Sequence, residues 1–178
     1  MKSPTLDTWE TVAHPRKGVL LLGLGNDILS DDAVGLYVAR EIRQRLSDLD
    51  GVEVHETMEM GLSLLDYIVD FETVVLVDAV QTGRVPPGHL HEFNSDNLRI
   101  LPTTSPHCLG VGEVLALGRE LGMAMPGRVR ILGVEVQDPF TIKTQITSAL
   151  RRALPGIIER VLQLLRGMTV RRGAFRCP

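Results

Sequence analysis

The sequence has few cysteines, few aromatic residues and no excess of positive charge, and each of these features argues against a class of protein. The two cysteines, Cys108 and Cys177, are too few for a disulfide framework, so we expect a protein of the reducing cytoplasm. Aromatic residues make up only 4% of the chain, which weakens the case for a surface that stacks bases or sugars. The net charge of −3 argues against nucleic-acid binding, which usually requires a basic surface.

Long apolar runs are also missing. No uninterrupted run approaches the roughly 18 residues that a membrane-spanning helix needs, so we expect no membrane partner. Residues 1–17 are polar, contain two prolines and lack the apolar centre of a secretory signal, which predicts an N-terminal extension. The length of 178 residues suits one domain, which we place at residues 18–166, followed by a basic C-terminal tail at 167–178.

The most informative segment is an apolar run followed by a glycine-containing turn and two acids. Val19–Leu22 predicts a buried strand, Gly23-Leu24-Gly25-Asn26 predicts a turn, and Asp31 and Asp32 precede a helix. A dinucleotide-binding fingerprint would need a third glycine where this chain has Ile28, and an acidic loop does not suit a pyrophosphate. Because open α/β sheets bind ligands at the carboxyl ends of their strands, the two acids mark a candidate site.

Hydrophobic periodicity predicts alternating strands and helices along the rest of the chain. After the first strand, we predict strands at Val52–Glu56, Thr73–Val80, His89–Phe93 and Val129–Val136, and helices at Ala33–Leu46, Gly61–Val69, Leu109–Leu121 and Ile146–Leu165. The second strand is expected near an edge of the sheet. This alternation predicts an α/β fold with a mostly parallel, helix-covered sheet and one hairpin-like irregularity around residues 85–93.

Three residues with metal-binding chemistry occupy corresponding places in this scheme. Asp32 follows the first strand, Asp78 ends the strand at Thr73–Val80, and His107 precedes a helix. Two carboxylates and one imidazole leave coordination positions open, which suits a divalent ion that exchanges water or substrate. Acids at a helix start can equally be caps, and a lone histidine is more often packed or solvated. The residues alone leave both interpretations open.

Four motifs, taken in order, resemble the signatures of the hydrogenase maturation endopeptidases. They are Gly23-Leu24-Gly25-Asn26, Asp31-Asp32-Ala33-Val34-Gly35, Val77-Asp78-Ala79 and Ser105-Pro106-His107-Cys108-Leu109-Gly110. The resemblance runs from about Val19 to Val136. It implies a three-layer α/β/α sandwich around a five-stranded, mostly parallel sheet with one irregular or antiparallel strand. It also implies that Asp32, Asp78 and His107 are the metal-binding and catalytic residues.

The same resemblance implies a function. Members of the family remove the C-terminal extension from the large-subunit precursor of a nickel–iron hydrogenase, and the nickel in that precursor serves as the recognition handle. We therefore expect nickel to arrive with the substrate, other divalent ions to substitute in vitro, and the protein to act as a monomer. A nickel-binding assembly chaperone that does not cleave, or another hydrolase on the same scaffold, remains an alternative.

The sequence departs from the family between the second strand and the next helix. Many members carry an Asp-Gly-Gly-Thr stretch that is thought to contact the substrate. This chain has Glu56-Thr57-Met58-Glu59-Met60-Gly61 and retains only the last glycine. The sequence therefore does not predict which hydrogenase the protein would process, whereas the prediction of the three ligands is unaffected.

Other reactive residues are expected to have structural roles. Asp31 is predicted to be a cap or a surface acid, because successive residues of a tight turn cannot both point into one site. Cys108 is predicted to pack or to lie beside the ligands, because the adjacent His107 cannot easily serve as its base. Glu135 is predicted at a strand end close to the site. Solvated positions are predicted for His89, His91 and Glu113, and no base is expected to activate Ser30, Thr104 or Ser105.

Overall fold

The computed structural model describes residues 16–45, 50–94 and 110–173. The strands are β1 (Lys17–Leu24), β2 (Val52–Thr57), β3 (Phe71–Val80), β4 (Leu90–Asn94) and β5 (Arg128–Glu135). The α-helices are α1 (Val34–Gln44), α2 (Leu65–Ile68), α3 (Val111–Glu120) and α4 (Ser148–Gly173). Two 3-10 turns, at Ser30–Ala33 and Gly61–Leu64, lead directly into α1 and α2.

The strands form one five-stranded sheet in the order β2-β1-β3-β5-β4. β1 pairs in parallel with both β2 and β3, and β3 pairs in parallel with β5, whereas β4 runs antiparallel beside β5. The predicted fold class is therefore confirmed, including its one antiparallel strand and the position of β2 at an edge. Because four strands run the same way, their carboxyl ends all meet at one edge of the sheet.

The core lies on both faces of the sheet. Along β1, Val19 and Leu21 point towards α1 and α4, whereas Leu20, Leu22 and Leu24 point towards α2 and α3. All of these side chains are buried. A strand buried on both faces has a continuous apolar run instead of an alternating pattern, which is why β1 is so conspicuous in the sequence.

Two helices differ from their predicted bounds by more than two residues. In place of the predicted helix Gly61–Val69, the chain forms the 3-10 turn Gly61–Leu64 followed by the four-residue α2. α2 ends at Ile68 because the backbone of Val69 is extended. The predicted helix Ile146–Leu165 begins at Ser148, where the Thr147 hydroxyl accepts the N–H of Leu150 at 3.3 Å. It continues to Gly173, beyond the expected domain end at residue 166, and Met168 still packs against the core.

Within the described ranges, none of the helices has the length and apolar character needed to cross a membrane.

Candidate active site

Asp32 lies in the 3-10 turn that follows β1, and the turn is folded back onto the end of that strand. All four residues of the turn are buried, and Asp32 itself is 3% exposed. Gly25 has a φ of +151°, and a Cβ at this position would collide with the backbone carbonyl of Asp32. Glycine is therefore required for the chain to return this closely upon itself.

Asp78 lies near the carboxyl end of β3 and is fully buried. Its neighbour Val77 is paired with Gly23 of β1, and Asp78 itself is paired with Gly133 of β5. Its Oδ1 accepts the N–H of Ala79 at 2.8 Å. By strand alternation, Asp78 shares the face of β3 that carries Val74 and Leu76, which is the face covered by α2 and α3.

The start of α1 brings the two acids to the same edge. A Cβ on Gly35 would collide with the carbonyl oxygens of both Leu24 and Val77, so the first turn of α1 lies directly over the ends of β1 and β3. Asp32 precedes Gly35 by three residues, and Asp78 follows Val77. Two buried carboxylates therefore occupy the carboxyl edge of the sheet at neighbouring strands, as the sequence predicts.

The third predicted ligand, His107, lies outside the described residues, as does Cys108. Among the residues that are described, no group of three His, Cys, Asp or Glu side chains could hold a metal ion. The described part of the chain thus contains the two carboxylate members of the predicted triad, and the roles of all three residues stay a prediction.

Asp31 is neither the helix cap nor the surface acid that the sequence predicts. It is fully buried, and its carboxylate reaches across to the connection between β5 and α4. Oδ2 accepts the N–H groups of Gln137 and Asp138, both at 3.1 Å, and the Thr147 hydroxyl at 3.0 Å. Oδ1 accepts the Thr147 N–H at 2.6 Å. The prediction fails because these partners lie more than a hundred positions away in the sequence.

Glu135 is a second buried acid that holds a loop at this edge. At 1% exposure, it accepts the N–H groups of Thr82 and Gly83 and the Thr82 hydroxyl, each at 2.8 Å. Its Oε2 also lies 2.9 Å from Nε2 of His91, which is half-buried and not fully solvated as predicted. Burial raises the pKa of Glu135, but the hydrogen bonds from His91, Thr82 and Gly83 lower it by more, so the pKa lies below its ordinary value.

With this geometry in place, comparison with known proteins identifies the family. The family model described as hydrogenase maturation protease matches residues 36–164, a range that includes Asp78 and His107 and begins four residues after Asp32. This chain belongs to the hydrogenase maturation protease family. It is therefore a hydrolase, and the resemblance drawn from the motifs is confirmed.

Individual members of the hydrogenase maturation protease family are similar along most of their length. The hydrogenase 2 maturation protease of Escherichia coli is 27% identical over 150 residues, which cover 83% of this chain and 90% of that protein. The hydrogenase expression/formation protein HoxM of Azotobacter vinelandii is 28% identical over 153 residues, which cover 80% and 73%. The solved structure of the E. coli hydrogenase maturating endopeptidase HybD has a TM-score of 0.72 at 26% identity, covering 84% of this chain and 92% of that chain.

This hydrogenase maturation protease also has an arginine clamp that the sequence alone does not reveal. Arg40 of α1 donates to both carboxylate oxygens of Asp27, at 3.0 and 2.7 Å, and its Nε donates to Glu56 at 2.7 Å. The hydrogen bonds to Asp27 and Glu56 raise the pKa of Arg40 although burial opposes them. Arg40 thereby joins the loop after β1 to Glu56 near the end of β2.

Proposed function

We propose that this protease removes the C-terminal extension of the nickel-loaded large-subunit precursor of a nickel–iron hydrogenase. The observation that carries the proposal is the pair of buried carboxylates, Asp32 and Asp78, at one edge of a hydrogenase maturation protease fold. An open α/β sheet binds its ligands at this edge. Buried titratable side chains that lie together at the ligand-binding edge of a sheet are candidates for a role in the reaction.

The position of α3 supports His107 as the third member of the site. Gly118 near the end of α3 lies against Met125 and Leu65, towards the amino edge, so Val111 at its start lies towards the carboxyl edge. Val111 is the fourth residue after His107, and four residues of extended chain span at most about 14 Å. Asp78 faces the layer that contains α3. This position of Val111 supports the proposal that His107 joins the two acids.

The donor set suits an ion that belongs to the substrate. Carboxylate and imidazole ligands are compatible with nickel, and three of them leave coordination positions for groups from the precursor. Asp32, Asp78 and His107 would complete the coordination of the nickel and so hold the cleavage point beside it. When bound, the ion supplies Lewis-acid chemistry at the scissile carbonyl or at a water molecule.

The loop that follows β2 would contact the precursor. Met58, Met60 and Leu62 are exposed by 58%, 48% and 61%, and the Arg40 clamp fixes the chain at Glu56 just before them. Exposed apolar side chains at a defined position favour contact with another protein, and methionine adapts easily to different partners. This loop stands where, by the resemblance, many members have a glycine-rich stretch, so it would help to determine which hydrogenase is processed.

The proposed cellular location and kind of partner follow from the composition. We propose that the protein works in the cytoplasm, because the sequence has two cysteines and no apolar run that could cross a membrane, and that it acts as a monomer. Its net charge of −3 favours a protein partner over a nucleic acid.

Substitution of the three proposed ligands tests the site. Asp32→Asn, Asp78→Asn and His107→Gln should each lower cleavage of nickel-loaded precursor by more than about 100-fold, because loss of a direct ligand exceeds the roughly 10- to 100-fold effect of an outer partner. Asp66→Asn, on the exposed face of α2, is the matched control and should retain full activity. Mass spectrometry measures the product, and circular dichroism shows that each variant is folded. Full activity in any of the three ligand variants would remove that residue from the site.

A further inference from the structure

We propose that Asp31 is a positioning residue that holds Asp32 in place for the reaction, an inference that rests on the proposed function. Asp31 and Asp32 are successive residues of the same 3-10 turn, and both are buried. The carboxylate of Asp31 is occupied by four hydrogen bonds from the connection between β5 and α4. It is therefore engaged in anchoring the turn that carries Asp32.

The backbone of the turn is anchored to the same connection. The N–H of Asp31 donates to the carbonyl of Asp138 at 3.0 Å, and the N–H of Ser30 donates to the carbonyl of Lys143 at 2.7 Å. Lys143 in turn donates to the carbonyl of Ile28 at 2.9 Å. The residues before Asp32 are thus held by main-chain hydrogen bonds to the same connection that binds the Asp31 carboxylate. A shift of this connection would therefore move the turn.

Ser30 shows that this conformation is imposed by its surroundings. Its φ is +29°, in the region that residues with a side chain rarely adopt. Its N–H and its hydroxyl both donate to the connection, to Lys143 at 2.7 Å and to Gln145 at 3.2 Å. A strained residue two positions before Asp32 relaxes when its restraints weaken, and Asp32 would move with it. Loss of the Asp31 carboxylate weakens those restraints.

The carboxylate of Asp31 is needed for a specific reason. Its four partners are three N–H groups and one hydroxyl, all of which donate, so both carboxylate oxygens must accept. In Asp31→Asn, the amide oxygen can replace Oδ2, but the amide NH2 then faces the N–H of Thr147, which approaches Oδ1 to 2.6 Å in the native chain. Two donors at that distance repel each other. The substitution therefore keeps the shape of the side chain and still displaces the turn.

The experiment compares nickel affinity and cleavage in a graded series of variants. Equilibrium dialysis against nickel chloride measures the affinity of the free protein, and mass spectrometry measures cleavage of nickel-loaded precursor. We expect Asp31→Asn to lower both by about 10- to 100-fold, as for other outer partners of a metal ligand. Thr147→Val, which removes one of the four bonds to Asp31 together with the hydroxyl that accepts the Leu150 N–H, should have a smaller effect. Thr147→Ser, which retains the hydroxyl, should behave as the wild type.

A matched control separates positioning from stability. Leu162→Ala removes a buried side chain from α4, far along the helix from the connection, and should lower the Tm at least as much as Asp31→Asn. At a temperature where both variants are folded, Leu162→Ala should keep the wild-type nickel affinity. Equal affinities in Asp31→Asn and Leu162→Ala would overturn the positioning role. A wild-type protein that binds nickel but cleaves no precursor would instead contradict the proposed function, and the dialysis series would still decide the role of Asp31.

Discussion

Two buried acids, Asp31 and Glu135, have the same kind of role at the carboxyl edge of the sheet. Each accepts four hydrogen bonds, Asp31 from the connection between β5 and α4, and Glu135 from the connection between β3 and β4 and from His91. Charge-assisted bonds of this kind are stronger than neutral ones. The loops around the proposed site are therefore fixed by acids that do not themselves belong to the proposed ligands.

Glu135→Gln should lower the free energy of unfolding by about 1–3 kcal/mol at neutral pH, because buried N–H donors lose a charged acceptor. The folded-state pKa of Glu135 is lowered, so its contribution is present above the unfolded pKa of about 4.3 and is lost as the pH falls towards the folded value. Urea denaturation from pH 7 to pH 3 should show that the difference in free energy of unfolding between wild type and variant becomes smaller below about pH 4.3. Glu113→Gln, an exposed acid on α3, is the control. A gap that stays constant over this range would contradict the assigned role.

The local sequence predicts the position of Asp32 and Asp78 but not the partners of Asp31. The two predicted ligands follow directly from their strands, because a strand end defines the sheet edge at which a residue lies. Asp31 sits beside Asp32 in the sequence, and only the fold brings it to Gln137, Asp138 and Thr147. Contacts between residues so far apart leave no periodic or compositional signal in a single sequence.

At the level of elements, the strands are predicted well and the loops are not. The β-branched and leucine runs of β1 and β3 indicate buried strands because every second residue faces a different layer of helices. The Arg40 clamp joins the loop after β1 to the end of β2 through side chains, and these contacts depend on how α1 lies across the sheet. The loop after β2 thereby gains a fixed starting point at Glu56.

The double variant Met58→Ser and Met60→Ser should raise KM for the precursor by roughly 10-fold or more with little change in kcat. Burial of a methionine side chain against a partner contributes up to about 1.5–3 kcal/mol, and both residues are exposed in the free protein. The matched control is Leu121→Ser with Met123→Ser, two exposed apolar residues between α3 and β5 at the opposite edge of the sheet. Steady-state cleavage of nickel-loaded precursor measures both pairs. The same KM in the two double variants would exclude the loop after β2 as a contact surface.

For the molecule as a whole, the fold separates a stable core from a site at one edge. Two apolar layers cover the faces of the sheet, and the two proposed carboxylate ligands, Asp32 and Asp78, lie where parallel strands end. The motifs predict this arrangement from the sequence because strand, turn and acid follow one another within a few residues. The identity of the hydrogenase is not predicted, because in the proposed function it would depend on surface side chains such as those after β2, which no structural rule constrains.

Nickel should belong to the substrate and not to the free protein. Three ligands with open coordination positions bind a free ion weakly compared with a closed site of four. Ligands from the precursor and from the protease together bind far better than either set alone, because the second set acts at high effective concentration. Elemental analysis of protein purified without added metal should therefore give well under one nickel per chain. A stoichiometric nickel that resists chelators would contradict this assignment.

The most direct test of the central claim is to incubate this protein, purified without added metal, with nickel-loaded and with nickel-free precursor and to weigh the products by mass spectrometry. The account predicts that the loaded precursor loses its C-terminal extension in a single cut without added metal, whereas the nickel-free precursor keeps its full mass. Equal cleavage of the two precursors, or no cleavage of the loaded one, would contradict it.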